Sequence, residues 1–113
     1  MCIGWFTQMK EMMMGMTPEK KVKQTVVKHL KEYGEKVYYF SPVTGGYGRS
    51  GVPDIVGCYL GKFFAIECKA GKNTPTKLQE LEMDKVNKAG GTVWVVNEDN
   101  VDSIHTALTS LIR

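Results

Sequence analysis

The segment DIVGCYLGKFFAIECK, residues 54–69, decides the fold because it contains two strand-like runs joined by a tight turn. Both runs are rich in β-branched and aromatic residues, and Gly61 lies where the chain must reverse direction. The segment therefore predicts a β-hairpin. Asp54, Glu67 and Lys69 interrupt the apolar pattern, although an unpaired charge is costly in a buried strand. Packing alone does not explain these charges.

The predicted hairpin brings the three charges to one face of the sheet. Side chains alternate across a strand, so Glu67 and Lys69 share a face and Cys68 points to the other. Directly paired residues also share a face, and a two-residue turn at 60–61 or 61–62 gives two registers. Asp54 lies opposite Glu67 in the first register and opposite Lys69 in the second. The charged side chains converge in both.

The segment before the hairpin begins with an amphipathic helix. Thr17 is a suitable N-cap, Pro18 suits the first helical position, and Gly34 ends the helix. Its apolar stripe has helical spacing and consists of Val22, Val26, Leu30 and Tyr33. Glu19 lies on the same face. It is either a first-turn carboxylate stabilised by the helix dipole or a further acidic member of the charged site.

The other segments complete an α-β-β-β-α-β-α order. Thr74 as N-cap and Pro75 at the first position predict the start of the second helix. The run TVWVVN is almost entirely apolar, as is typical of a strand covered on both faces. The remaining patterns predict a strand (36–41), a loop (42–53), a helix (75–89, with Gly90 and Gly91 just past its end), a strand (92–97) and a helix (100–113). The fold class is therefore α/β, a mixed sheet flanked by helices.

Length and composition indicate one small domain. A chain of 113 residues can form one modest core, and a net charge of +3 permits a polyanionic partner without requiring one. Three cysteines without a C-x-x-C or Cys/His cluster make zinc improbable and favour a reducing, cytoplasmic location. The Met-rich residues 1–16 lack the features of a signal peptide and are expected to precede a domain at 17–113.

The charged cluster has the composition of a metal site. Two carboxylates brought together repel unless a cation lies between them, and oxygen ligands suit Mg²⁺ or Mn²⁺. Asp54 and Glu67 are therefore expected to bind the metal, with the backbone carbonyl of Cys68 as an extra ligand and Glu19 acting directly or through a water. Lys69 is able to orient or deprotonate a water, or to stabilise charge on a phosphate. This predicts phosphodiester hydrolysis; a solvated surface charge cluster is the alternative.

Three further polar residues have plainer interpretations as well. Gln79 lies on an inward helical edge, where it either holds water or phosphate or simply hydrogen-bonds to a strand end. His29 and His105 are far apart in sequence on separate helices. They are expected to be solvated or satisfied individually.

The glycine-rich loop before the hairpin contains candidate DNA contacts. Its glycines would let backbone amides approach a phosphate, while Arg49 offers a cation and Tyr47 a stacking surface. Ser50 and Lys72 are further candidates. A flexible connecting loop is the alternative.

The motifs in combination resemble the VRR-NUC domain, a branch of the PD-(D/E)XK nuclease superfamily. They are G-x-P-D at 51–54, E-x-K at 67–69, T-x-x-Q at 76–79 and an A-G-G lead-in at 89–91. The resemblance extends over residues 17–113 and is to small stand-alone members of the kind found in phages and bacteria.

This resemblance implies a restriction-endonuclease-like core and cleavage of DNA with Mg²⁺ or Mn²⁺. Asp54 and Glu67 match the metal-binding acids, Lys69 the catalytic lysine, Glu19 the helix-one acid and Gln79 the glutamine that follows E-x-K. The stand-alone members resemble Holliday junction resolvases that act as homodimers, so resolution of four-way DNA junctions is the expected function. A flap- or restriction-type nuclease, or a DNA-binding module that does not cleave, is the alternative.

Overall fold

The computed structural model describes residues 15–43 and 50–113. Apart from its last two residues, the predicted Met-rich extension at 1–16 lies outside these ranges. The candidate DNA contacts Tyr47 and Arg49 lie outside them as well.

Helices and strands follow the predicted order. They are α1 (Pro18–Lys31), β1 (Val37–Phe40), β2 (Ile55–Tyr59), β3 (Lys62–Cys68), α2 (Lys77–Lys88), β4 (Thr92–Val96) and α3 (Ile104–Leu111). Short 3-10 turns at Gly34–Lys36 and Val101–Ser103 precede β1 and α3. Within the two described ranges, no helix is long and apolar enough to cross a membrane.

Within residues 15–43 and 50–113, four strands form one sheet in the order β1-β2-β3-β4. The first three strands are antiparallel neighbours, whereas β4 pairs parallel with β3. A parallel pair needs a crossover connection, and α2 lies within that connection. The sheet is therefore mixed, as predicted.

The hairpin turn selects one of the two predicted registers. Leu60 and Gly61 have φ angles of 47° and 89°, and two consecutive positive values are typical of the type I′ turns that join antiparallel strands. This turn sets the pairing of β2 with β3. Continued by one residue, the same register places Asp54 opposite Glu67.

One face of the sheet packs against α1 and α3. Val22, Val26 and Leu30 of α1 are buried there, and Ile104 and Leu108 are buried from α3. Burial of each such aliphatic side chain contributes about 1.5–3 kcal/mol. The sheet side chains that complete this core include Ile55, Phe64, Ile66 and Cys68. Cys68 therefore faces the core, which leaves its neighbours Glu67 and Lys69 on the other face, as predicted.

Helix α1 ends at Lys31, earlier than predicted. The prediction that it continues to Gly34 with Tyr33 in its buried stripe is wrong, because Tyr33 follows the helix and is only partly buried.

Helix α2 begins two residues later than predicted. Its N-cap is Thr76, whose Oγ1 accepts a hydrogen bond from the Gln79 amide at 3.2 Å. Gln79 Oε1 in turn accepts one from the Thr76 amide at 2.8 Å. This reciprocal capping box satisfies two backbone donors at the helix start. The prediction of Thr74 as N-cap and Pro75 as the first helical residue is therefore wrong.

Strand β4 is less covered than its apolar sequence predicts. It lies at one edge of the sheet. Val96 is buried on the core side, whereas Val95 on the other face is 39% exposed. The prediction that both faces of this strand are covered is therefore wrong, because α2 shields only part of the second face.

The two histidines meet in the fold. His29 lies near the end of α1 and His105 near the start of α3, and the packing of these helices brings His29 Nδ1 within 3.0 Å of His105 Nε2. The expectation that each histidine is solvated or satisfied separately is wrong, because a separation along the chain does not report which helices become neighbours.

Candidate active site

Asp54 and Glu67 form the centre of the site at the open end of the hairpin. Asp54 Oδ2 accepts a hydrogen bond of 2.8 Å from the backbone amide of Cys68, which ties the start of β2 to the end of β3. Glu67 is only 2% exposed. Its burial, and then the negative charge of Asp54, raise the pKa of Glu67 to about 8. The fold therefore holds two carboxyl groups together at an electrostatic cost.

The two oxygens of Glu67 have different surroundings. Oε1 accepts a hydrogen bond of 2.9 Å from Gln79 Nε2. Oε2 is buried and has no hydrogen-bond partner within residues 15–43 and 50–113. An unpartnered buried carboxylate oxygen is unfavourable, and a cation would satisfy it. The residues present thus fit a hard divalent ion bound between Glu67 and Asp54.

Lys69 and Glu19 border the carboxylate pair. Lys69 is 8% exposed, and its Nζ lies 3.9 Å from Glu19 Oε1. Glu19 is in the first turn of α1, where the helix dipole also favours a carboxylate. Its charge contributes to the raised pKa of Glu67, while that of Lys69 opposes it. Glu19 therefore lies at the edge of the cluster, and its role in the site stays a prediction.

Gln79 connects α2 to the carboxylates. Its side-chain oxygen is engaged in the capping box with Thr76, which fixes the amide so that Nε2 points at Glu67. Thr76 is thus a positioning residue that sequence reasoning missed. The T-x-x-Q spacing at the start of a helix is the signature of a capping box, and it would have identified Thr76.

Gly51 holds the segment before Asp54 against α2. Its φ angle is +80°, and a Cβ built there would lie 2.6 Å from the carbonyl carbon and oxygen of Leu78 and 2.8 Å from the Gln79 nitrogen. Only glycine permits this approach of one backbone to another. The glycine of G-x-P-D therefore brings Asp54 and Gln79 to the same site, a role that sequence reasoning did not assign.

The remaining predicted site residues have simpler surroundings. Burial, reinforced by the charges of Asp54 and Glu67, raises the pKa of the Cys68 thiol to about 12, so this thiol is not a nucleophile. The backbone carbonyl of Cys68 stays a predicted ligand. Ser50 and Lys72 are exposed, at positions accessible to a large ligand.

Together these residues provide the parts of a cation-assisted hydrolysis site. Two carboxylates, one of which has an unpartnered oxygen, are suited to a divalent ion. The buried ammonium group of Lys69 lies 3.9 Å from Glu19, and its charge acts on Glu67. Such a combination favours reactions in which negative charge develops on a phosphate.

Comparisons with known proteins agree with this chemistry. A family model described as archaeal Holliday junction resolvase (Hjc) matches residues 16–101. A solved structure titled VRR-NUC domain is similar with a TM-score of 0.67 and 23% identity, over 80% of this chain and 97% of that one. No curated protein sequence matches the chain.

The structural likeness confirms the restriction-endonuclease-like α/β fold, and the two comparisons together confirm the resemblance to a resolvase-like VRR-NUC nuclease. The family model spans well over half of the sequence. The chain therefore belongs to the archaeal Holliday junction resolvase family of structure-selective DNA nucleases.

Proposed function

We propose that the protein is a Mg²⁺- or Mn²⁺-dependent endonuclease that resolves four-way DNA junctions as a homodimer. The observation that carries this proposal is the pair formed by Asp54 and the buried Glu67, which has an unpartnered oxygen and lies within the electrostatic influence of the buried ammonium group of Lys69. In this proposal residues 17–113 are the nuclease domain, and the protein acts in the cytoplasm.

The carboxylates would hold the ion. Asp54 offers its carboxylate, of which Oδ2 also accepts from the Cys68 amide, and Glu67 offers Oε2. The backbone carbonyl of Cys68 and, through a water, Glu19 complete the proposed set. When bound, the ion supplies Lewis-acid stabilisation of the charge that develops on the scissile phosphate.

Lys69 acts on the attacking water or on the phosphate. Its ammonium group is held beside the carboxylates with little exposure to solvent, so its charge is screened less than that of a surface lysine. Gln79 holds Glu67 by one oxygen and keeps the other oriented into the site. Lys69 is thus the proposed catalytic residue and Gln79 assists it through Glu67.

Exposed lysines on α1 provide a surface for the DNA backbone. The lysines that are exposed along this helix are Lys20, Lys21, Lys28 and Lys31. Each phosphate that a lysine neutralises releases counterions, so binding should weaken steeply as salt rises. Tyr47, Arg49, Ser50 and Lys72 are further proposed contacts with DNA.

A homodimer follows from the requirement for two cuts. Resolution of a four-way junction needs incisions in two strands, whereas one chain carries one cluster of these residues within the described ranges. A pair of chains related by two-fold symmetry would present two sites to the symmetric junction.

Cleavage of defined substrates tests the proposal. The full chain is incubated with a synthetic four-way junction, a flap and a linear duplex, each with Mg²⁺, Mn²⁺ or EDTA. Paired symmetric incisions in the junction, abolished by EDTA, are expected. Preferential cutting of the flap or the duplex would favour the alternative nuclease types. Tight junction binding without incision in either metal would leave only a DNA-binding module.

Asp54→Asn is the matched variant for this assay. It retains the shape of the side chain and the acceptor for the Cys68 amide, but removes one charge from the proposed metal site. Junction binding should persist while incision is lost. Full activity of Asp54→Asn would contradict the proposed metal site.

A further inference from the structure

A second cluster of potential metal ligands lies at the opposite end of α1 from Glu19. His29, Glu32 and His105 each offer one ligand atom, and these atoms all lie within 4.8 Å of one another. His29 follows Glu19 by ten residues on one helix, which places the two about 15 Å apart along its axis. The cluster is therefore separate from the candidate active site.

The distances between the donor atoms suit a single ion. His29 Nδ1 lies 3.0 Å from His105 Nε2 and 3.9 Å from Glu32 Oε1, and His105 Nε2 lies 3.7 Å from Glu32 Oε2. Ligands arranged tetrahedrally at about 2.0–2.2 Å from zinc are about 3.3–3.6 Å apart. The two Glu32 distances end at different oxygens of an exposed side chain, so a rotation of this side chain, with a separation of the rings by a few tenths of an ångström, would bring one oxygen and the two ring nitrogens into this geometry.

The ring nitrogens that face away from the cluster also have suitable neighbours. Tyr33 Oη lies 2.7 Å from His105 Nδ1, and Asp102 Oδ1 lies 3.2 Å from His29 Nε2. His29 Nε2 is buried and, within the described ranges, has no partner in hydrogen-bond geometry. Metal-bound histidines commonly use their second nitrogen to contact a carboxylate or another acceptor, which fixes the ring. Asp102 would accept from His29 after a small rotation.

We propose that His29, Glu32 and His105 form a second metal site, for Zn²⁺ or a related transition-metal ion, that joins α1 to α3. Two imidazoles and a carboxylate favour such an ion over Mg²⁺ or Ca²⁺, which prefer oxygen ligands. His29 is in the last turn of α1 and Glu32 is the C-cap residue three positions later, so the two side chains lie on the same side of the helix end, while His105 comes from α3. The sequence predicts that zinc is improbable because it contains no Cys/His cluster of ligands along the chain. The three donors of this site come together only when the two helices pack.

The alternative to a metal ion is a series of hydrogen bonds between uncharged side chains. Tyr33 would donate to His105, and His105 would donate to His29, with a proton in the 3.0 Å gap between the rings. The ion and this proton compete for the same space. An experiment that observes the ring nitrogens directly therefore separates the two.

Imidazole NMR of the full chain provides this experiment. The protein contains only two histidines, so its ¹⁵N imidazole spectrum reports this cluster alone. After removal of metals by chelation, one equivalent of Zn²⁺ should shift His29 Nδ1 and His105 Nε2 together. Unchanged ring resonances in excess Zn²⁺ would overturn the proposal and leave the series of hydrogen bonds.

Calorimetry with Zn²⁺ measures the affinity in variants. Asp54→Asn removes binding at the candidate active site and serves as the background. In that background Glu32→Gln should weaken Zn²⁺ binding by roughly 10–100-fold or more, whereas Glu35→Gln, an exposed carboxylate of the following turn, should leave it unchanged. Equal loss in both variants, or no loss in either, would contradict the assignment.

A thermal shift provides an independent measurement. Zn²⁺ that binds only the folded chain should raise the unfolding temperature in proportion to occupancy. In the Asp54→Asn background, His29→Gln should abolish the shift, whereas in the otherwise wild-type chain it should leave Mg²⁺-dependent cleavage intact. A shift that persists when both substitutions are present would place the ion elsewhere and overturn the proposal.

Discussion

Glu67 is an acidic residue held in the interior beside a second acid. Its position therefore makes the stability of the folded protein depend on pH. Its pKa in the folded, metal-free chain is raised from 4.5 to about 8. The folded state therefore keeps a proton that the unfolded state releases as pH rises above about 4.5. The contribution of the protonated Glu67 carboxyl to the stability of the folded state is fully present below about pH 4.5 and is lost as the pH rises through about 8.

Glu67→Gln removes this titration. In EDTA, we expect the variant to be more stable than the wild type by about 2–4 kcal/mol near pH 8.5, with a smaller difference near pH 5. Urea unfolding at the two pH values measures the free energies. The exposed Glu80 of α2 provides the control Glu80→Gln, which should follow the wild type. Parallel pH profiles for Glu67→Gln and wild type would contradict the assigned cause.

Lys69 is expected to act in cleavage and not in DNA binding. Lys69→Met keeps most of the volume of this buried side chain but removes its charge, so incision should fall by about 10²–10³-fold. Junction affinity should change little, because a single buried lysine contributes little to backbone neutralisation. Single-turnover cleavage measures the incision rate, and a binding titration measures the affinity for the junction. Lys88→Met, on the exposed face of α2, should be active, and unchanged cutting by Lys69→Met would refute the role.

At the scale of elements, Gly51 controls how the hairpin meets α2. Gly51→Ala would place a methyl group against the backbone of Leu78 and Gln79, so the two elements must separate. Gly71→Ala is a matched control, since Gly71 also has a positive φ of +58° but open space around it. We expect the free energy of unfolding to fall by about 3 kcal/mol or more in Gly51→Ala and by about 1 kcal/mol in Gly71→Ala.

Denaturant unfolding of the two glycine variants separates two effects. Gly71→Ala measures the backbone strain of a positive φ angle alone, and Gly51→Ala adds the steric clash with the backbone of α2. Cleavage should fall more in Gly51→Ala than in the control, because Asp54 and Gln79 are displaced relative to each other. Equal losses of stability in the two variants would show that the contact between Gly51 and α2 is unimportant.

The same elements show what the sequence can and cannot predict. Strand alternation is enough to predict that Glu67 and Cys68 point to opposite faces, because period-two alternation is local. The choice between the two hairpin registers depends on which two residues form the turn. The positive φ angles of Leu60 and Gly61 identify them, and these angles are known only from the structure. The contact between His29 and His105 depends on which helices pack together, and local periodicity carries no such information.

At the scale of the whole molecule, the sheet formed by the described parts of the chain has an edge at β1 on which two chains could pair. Strand β1 is the first strand of the sheet, and its Tyr38 and Phe40 are 71% and 51% exposed. Their rings lie 6.4 Å apart on one face. Adjacent exposed aromatics on an edge strand favour association, whereas the exposed face of α1 is rich in lysine and would repel its own copy.

Phe40→Lys therefore tests both the proposed dimer and its face. A charge in the apolar contact should shift the protein from dimer to monomer in light scattering, and it should convert paired junction incisions into single nicks. Ile112→Lys replaces a residue of similar exposure near the end of the chain and should leave the dimer intact. The expected contrast arises because each chain can still cut one strand, while coordination of two cuts needs two joined sites. A wild-type protein that is monomeric at every concentration yet makes paired incisions would refute the dimer, and a fully dimeric Phe40→Lys would place its interface elsewhere.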